Sequence, residues 1–228
     1  MSPRLVRLLL RAGLALVGLA VLFFLLPLLL DSFANRRWGP NPKAQSEAAL
    51  RLHPTLWVAD LHSDSLLWNR DLLERNERGL VDVPRLIEGG VALQAFTIVS
   101  TAPFGLNVER NSDAIDVVTP LVIAQRWPSA TWSSPLERAL YQAARLQKAA
   151  AASGGSFALI RTQAELSAYS ERRLKDRKLT AGFLGVEGAQ VLEGKLGNVQ
   201  RLFDAGIRMM APTHFTDTDL GGSAHILI

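Results

Sequence analysis

A histidine between two acids follows a short apolar run. The residues are Asp60, His62 and Asp64, and the run is 55–59. Side chains two positions apart on a strand point to the same side, so we expect these three to face one way. Imidazole nitrogen and carboxylate oxygen are both ligands that zinc accepts. The segment is therefore a plausible beginning of a metal site.

Two later segments are built in the same way. The run 181–186 leads into Glu187, and the run 207–213 leads into His214. Parallel strands that end in polar side chains are how an α/β barrel forms its active site, at the mouth where the strands finish. The pattern predicts that these two side chains converge with the first group at one mouth of a sheet.

Each of these side chains also has a structural explanation. His62 and Asp64 could form a strand-end turn with a surface acid. Glu187, which lies between two glycines, could be a turn residue, and His214 could cap a strand. We expect Asp60 to be a structural hydrogen bonder or a supporting residue rather than a ligand. The chemical interpretation therefore depends on all the segments meeting at one place.

Residues 1–37 differ in composition from the rest of the chain. Three arginines precede 12–30, which is 19 residues without a charge. At about 1.5 Å per residue such a helix spans a bilayer core. We expect an uncleaved signal anchor with residues 38–228 outside the cytoplasm, in the periplasm or at the cell surface. A signal peptide cleaved after Ala34 is the alternative, since Ser32 and Ala34 are small residues that a signal peptidase accepts.

The net charge of +4 is located in this first segment. Removing the five Arg and one Asp of residues 1–37 leaves 20 basic and 20 acidic residues. With no basic stripe remaining, we expect no nucleic-acid partner. The chain has no cysteine, so a metal would have to be held by histidines and carboxylates.

Beyond a polar linker at 38–54, strand-like and helix-like segments alternate in a domain at 55–228. The predicted strands are 56–63, 91–99, 181–187 and 207–213. Helices are predicted to begin near Asp82, Ser133, Thr162 and Asn198. This rhythm predicts an α/β fold with a parallel sheet and right-handed crossovers. Four strands are half of what a (β/α)8 barrel needs.

At these positions the chain resembles the membrane (renal) dipeptidases, peptidase family M19, which are relatives of the amidohydrolase barrels. The matching motifs are Asp-Leu-His-Ser-Asp at 60–64, the segments 82–91 and 94–96, Gly-Val-Glu-Gly at 185–188, and the segment 202–208 leading to Thr213-His214. Together they cover roughly 55–225, which corresponds to about the first half of the family's length.

The resemblance implies a (β/α)8 barrel with two zinc ions that hydrolyses dipeptides and related small amides, with a homodimer possible. His62 and Asp64 match the family's pair on one zinc. Glu187 matches the carboxylate that bridges both ions. His214 matches the histidine that contacts substrate and the oxyanion of the tetrahedral intermediate.

The family's two further histidine ligands and its late aspartate would follow residue 228. We therefore expect this chain to be an incomplete fragment, N-terminal half of the barrel after a transmembrane helix, that lacks activity by itself. The alternative function is an inactive membrane-anchored fragment or a binding module derived from such an enzyme.

Overall fold

The computed structural model describes residues 1–36 and 44–223. They form an α/β fold with a parallel sheet, which confirms the predicted fold class. The first part of the predicted linker, 38–43, and the last five residues of the predicted domain lie outside the described residues.

Helix α1, Pro3–Ala34, is longer than the apolar run that predicted it. Ser2 caps its first turn by accepting a hydrogen bond from the backbone N–H of Leu5 at 3.3 Å. The most apolar part of α1 has a mean hydropathy of 2.7, and little of it is buried. By length and composition α1 is able to cross a membrane, and a signal sequence has the same properties.

Six further helices lie in the described part of the chain. They are α2 Glu47–Leu52, α3 Val83–Glu88, α4 Val118–Ala124, α5 Pro135–Ala152, α6 Gln163–Lys175 and α7 Gly197–Asp204. Asp82 caps α3 and Thr162 forms a capping box with Glu165 on α6, as predicted. The cap of α5 is Ser134 rather than Ser133. Helix α2 lies within the predicted linker, and α4 was not predicted.

The sheet has five strands, and all of the pairings between them are parallel. They are β1 Val58–Asp60, β2 Val91–Val99, β3 Phe157–Leu159, β4 Thr180–Glu187 and β5 Ile207–Met210. The predicted strands at 91–99 and 181–187 agree closely with β2 and β4. The predictions at 56–63 and 207–213 were too long, because the chain leaves the sheet after Asp60 and Met210.

The strand order places β4 at the centre of the sheet. One edge of β4 pairs with β2, and β2 pairs in turn with β1. On the other edge, β3 pairs with 180–182 and β5 pairs with 184–186. Strands β1, β2, β4 and β5 therefore follow each other in chain order, and their carboxyl ends point to the same edge of the sheet.

The main core lies between the sheet and α5. It includes Phe96 and Leu184 from the sheet and Leu146 from the helix. Gly182 is required here, because a Cβ at this position would lie 2.6 Å from the ring of Phe96 and 2.8 Å from that of Phe157. The two rings pack edge to face with their centroids 5.8 Å apart. This packing holds together the half of the sheet that contains the amino ends of the strands. The polar groups lie at the opposite edge, where the strands have their carboxyl ends.

The connection from β2 to α4 is held by a buried arginine on α5. The guanidinium of Arg138 donates to the Ser100 carbonyl at 2.7 Å and to Asp116 Oδ2 at 2.6 Å. Asp116 also accepts the backbone N–H of Ala102 at 3.0 Å. Both ends of the connection are thereby fixed beside the carboxyl edge of the sheet.

Candidate metal centre

Three of the four predicted site residues form one compact cluster. His62 Nε2 lies 3.4 Å from Asp64 Oδ1 and 3.1 Å from Glu187 Oε1. One possible ligand atom from each residue lies within 4.8 Å of the other two. Side chains that follow β1 and that end β4 thus meet at the carboxyl edge of the sheet, as the sequence pattern predicted.

The backbone positions His62 and Asp64 in the cluster in a different way from the one predicted. Strand β1 ends at Asp60, so strand alternation does not place the two side chains. Instead, Asp60 Oδ1 accepts the backbone N–H of His62 at 3.1 Å. Ser63 donates its backbone N–H to Thr97 Oγ1 at 3.1 Å. Asp60 therefore acts as a structural hydrogen bonder, and the turn after β1 aims both side chains.

Thr97 on β2 supports the cluster and was missed in the sequence. Its hydroxyl donates to Asp64 Oδ1 at 2.6 Å, and its backbone N–H donates to the Ser63 carbonyl at 2.9 Å. Thr97 is 2% exposed, so neither bond is shared with solvent. A polar residue inside the apolar run 91–99 was the available signal.

Glu187 is the last residue of β4 and is 8% exposed. Gly188, which follows it, has φ 87°, and a Cβ there would clash with Gln190 Oε1. The chain can therefore turn sharply after the carboxylate. Burial raises the pKa of Glu187, the neighbouring Asp64 raises it further, and His62 partly opposes this rise. Such a carboxylate would be stabilised in its charged form by a cation.

His214 lies on the opposite side of the Glu187 carboxylate. Its Nε2 is 3.1 Å from Glu187 Oε2. The loop that carries it is held by bonds from Ala211 N–H to the Val186 carbonyl, 3.0 Å, and from Ala189 N–H to the Pro212 carbonyl, 3.2 Å. Burial lowers the pKa of His214, which favours the neutral imidazole near pH 7.

The chemistry of the cluster suits a zinc ion. A neutral imidazole and two carboxylates are ligands that zinc prefers, and the cluster contains no group that would repel a cation. Glu187 Oε2 and His214 Nδ1 are buried and make no hydrogen bond within the described residues, although His214 Nε2 lies 3.1 Å from Glu187 Oε2. Buried polar atoms are normally paired, so Glu187 Oε2 is suited to bind an additional group. The residues present therefore fit a metal site.

A family model described as membrane dipeptidase (peptidase family M19) matches residues 46–226. The match includes all four residues of the site. No curated protein sequence matches the chain significantly.

Two solved structures are similar to the chain over part of its length. One is described as a dipeptidase and metallopeptidase of family M19; it is 23% identical, has a TM-score of 0.47, and the match covers 70% of this chain and 43% of that one. The other is a metallopeptidase from Rhodobacter sphaeroides with a phosphinate mimic of the dipeptide L-Ala-D-Ala; it is 23% identical, has a TM-score of 0.49, and the match covers 69% of this chain and 45% of that one. The chain thus spans less than half of the length of either structure.

Proposed function

Because the chain belongs to the membrane dipeptidase family, peptidase family M19, we propose that the protein that carries it hydrolyses dipeptides and related small amides with the help of zinc. The observation that carries this proposal is the convergence of His62, Asp64 and Glu187 within 4.8 Å. The family match rests on the sequence of residues 46–226, and the cluster rests on the positions of three side chains in the structure.

His62, Asp64 and Glu187 would hold the metal. Glu187 has a second carboxylate oxygen that faces away from His62, so it could bridge to a second ion, as the family resemblance implies. Bound zinc would supply Lewis acidity, which polarises a carbonyl and lowers the pKa of water. Thr97 and Asp60 would keep the turn after β1 in place for these ligands.

His214 would act on the substrate rather than on the metal. Its neutral imidazole can donate one hydrogen bond from Nε2 or Nδ1. A donor beside the reacting carbonyl stabilises the negative charge that develops on the oxygen in the transition state. The loop bonds to Val186 and Ala189 would hold the ring in position for this role.

The proposed location of the protein rests on α1. We infer that α1 crosses the membrane once through 12–30 and that the α/β domain lies outside the cytoplasm. The length and apolar character of α1 support this inference, as does the family's description as membrane dipeptidases. A cleaved signal sequence would place the domain in the same compartment without an anchor.

The decisive experiment measures zinc content and hydrolysis of a simple dipeptide by the chain extended with the C-terminal half of a family barrel and by Glu187→Gln in the same extended protein. The matched control is Glu171→Gln, the same substitution at an exposed position of α6. We expect zinc to be retained by the extended protein and by the control, and largely lost from Glu187→Gln. Zinc binding without hydrolysis would favour the alternative, a binding module derived from the enzyme. Equal zinc content in all three proteins would refute the site.

A further inference from the structure

Helix α1 is attached to the α/β domain through a buried acid. Asp31 is 5% exposed, whereas the rest of α1 is mostly exposed. Arg78 Nε donates to Asp31 Oδ2 at 3.0 Å, and Arg70 Nε lies 3.9 Å from Asp31 Oδ1. Asn35, one turn later, accepts the backbone N–H of Gly79 at 3.3 Å. The contact therefore joins the last turns of α1 to the segment 70–79.

A second contact lies two turns earlier on α1. The guanidinium of Arg126, just after α4, lies 5.2 Å from the centre of the Phe24 ring. Arg126 has φ 60°, a conformation that costs a non-glycine residue free energy and persists only where its surroundings impose it. Phe24 and Asp31 are seven residues apart, so they lie on the same face of the helix. One face of α1 is thus in contact with the domain.

The end of α1 also borders the candidate metal centre. A cavity of about 260 Å³ is lined on one side by residues 34–36 and on the other by residues 63–65, which include the predicted ligand Asp64. Arg70, the ion-pair partner of Asp31, lines the same cavity. The side chain of Asp64 is 39% exposed, and this cavity is one of the spaces it faces.

We propose that the C-terminal end of α1 forms a fixed wall of the cleft beside Asp64, and that Asp31 is the positioning residue that holds this wall. The proposal rests on the proposed function in one respect, which is that the cleft binds metal and substrate. The membrane helix is then more than an anchor, because its docked position shapes the approach to the metal centre.

The role of Asp31 follows from the charges around it. The Arg70 side chain is 8% exposed, and burial lowers its pKa, whereas Asp31 and Asp82 raise it. Removal of the Asp31 charge would leave this buried guanidinium without its ion-pair partner and with only the Asp82 charge in its favour, which is unfavourable. The face of α1 that contacts the domain would then separate from it, and the wall at 34–36 would be lost.

The absence of cysteine from the chain allows the docking to be tested by crosslinking. Ala34→Cys and Leu80→Cys line the same cavity, so a short bismaleimide should join them in the full chain reconstituted in nanodiscs. Leu29→Cys with Leu80→Cys is the control pair. We expect Asp31→Asn to reduce the first crosslink several-fold and Asp31→Glu to restore most of it. Equal crosslinking of both pairs, or no effect of Asp31→Asn, would overturn the proposal.

A second measurement tests the wall without enzymatic turnover. A small fluorophore on Ala34→Cys should be quenched when Cu²⁺ occupies the metal site. The same fluorophore on Leu174→Cys, near the end of α6 and the opposite edge of the sheet, should be quenched several-fold less. Equal quenching at both positions would refute the wall. If no variant retained Cu²⁺, the proposed function would be contradicted, and the crosslink would still decide whether α1 is docked.

Discussion

His214 and Glu187 approach each other to 3.1 Å, through Nε2 of the imidazole and Oε2 of the carboxylate. The other oxygen of Glu187 lies at the same distance from His62 Nε2. One buried carboxylate is thus placed between imidazoles that follow two different strands. Because each oxygen faces a different histidine, the loss of Glu187 would affect both sides of the site.

The first prediction concerns the threonine under Asp64. Thr97→Val removes the donor to Asp64 and the acceptor for the Ser63 N–H. An unpaired buried group costs about 1–3 kcal/mol, and the loss of a residue that orients a ligand lowers metal affinity about 10–100-fold. We expect weaker zinc binding by calorimetry and a lower free energy of unfolding. Thr97→Ser, which keeps the hydroxyl, should retain most of the affinity.

The matched control for this substitution is Thr180→Val. Thr180 is also completely buried, and its hydroxyl donates to the Val91 carbonyl at 2.9 Å, at the opposite end of β4 from Glu187. It should lose stability by a similar amount without any change in zinc affinity. If both variants lost zinc affinity equally, Thr97 would have only a structural role.

Thr97 also shows which part of the site the sequence could predict. The types and order of His62, Asp64, Glu187 and His214 indicated one edge of a parallel sheet, since the strands before them are strongly apolar. The turn after β1 could not be predicted, because the bond from Ser63 to Thr97 joins residues 34 positions apart. Strand alternation was the wrong reason for a correct convergence.

The contact between α1 and the domain likewise could not be predicted from the sequence pattern. Periodicity and charge identified an apolar helix, and Asp31 marked the end of its uncharged run. The pairing of Asp31 with Arg78 spans 47 positions. A local pattern gives the composition of each segment but not the distant partner of a buried charge.

The second prediction concerns stability in acid. Burial alone would raise the pKa of Asp116, but the hydrogen bond from Ala102 N–H and the guanidinium of Arg138 outweigh it, and the pKa is lowered. A carboxylate with a lowered pKa in the folded state stabilises the protein above the unfolded value of about 3.9. This contribution is lost as the pH falls through the folded pKa.

Asp116→Asn should therefore flatten the acid part of the stability curve. It should also lower the free energy of unfolding at pH 7 by about 3 kcal/mol, because the buried Arg138 loses its acidic partner. Asp113→Asn, at an exposed acid of the same connection, is the control. Chemical denaturation between pH 3 and 8 measures both effects. An unchanged acid slope in Asp116→Asn would contradict the assignment.

The third prediction concerns the protonation of Glu187 and its effect on the stability of the metal-free protein. Burial and Asp64 raise the pKa of Glu187, so in the metal-free protein the folded state binds this proton more tightly than the unfolded state. The resulting stabilisation is complete below the ordinary glutamate pKa and is lost as the pH rises through the folded value. Metal-free Glu187→Gln should lack this loss and should be more stable than the original chain at neutral pH.

Zinc should reverse this order of stabilities. Zinc binds the folded form of the original chain and stabilises it by linkage, whereas Glu187→Gln lacks one of the ligands. Thermal unfolding is measured with chelator and with zinc, at pH 5 and at pH 8, which gives four unfolding temperatures for each protein. Parallel shifts of the original chain and the variant on addition of zinc would show that Glu187 is not a ligand.

The fourth prediction concerns the orientation of α1. If residues 12–30 cross the membrane with the domain outside the cytoplasm, alkaline phosphatase fused after residue 60 should be active. Three arginines precede the apolar run, and Arg36, Arg37 and Lys43 follow it, so the retention of positive charge on the cytoplasmic side gives only a weak preference. The short N-terminus makes export of the domain the default. Replacement of Arg4, Arg7 and Arg11 by glutamate should reduce the activity of the fusion. An inactive fusion together with an active cytoplasmic reporter would reverse the orientation.

The last prediction separates a substrate-binding role of His214 from a role as a metal ligand. His214→Ala leaves His62, Asp64 and Glu187 in place, so zinc content should stay close to that of the original protein. Loss of a hydrogen-bond donor to the developing oxyanion costs about 10²–10³ in kcat. His53→Ala is the control, since His53 is exposed and bonds to the Gly89 carbonyl at the end of α3, away from the site. We expect kcat for a dipeptide, measured with the chain extended by the C-terminal half of a family barrel, to fall in His214→Ala alone. A fall in zinc content that matched the fall in activity would make His214 a ligand and would contradict the assignment.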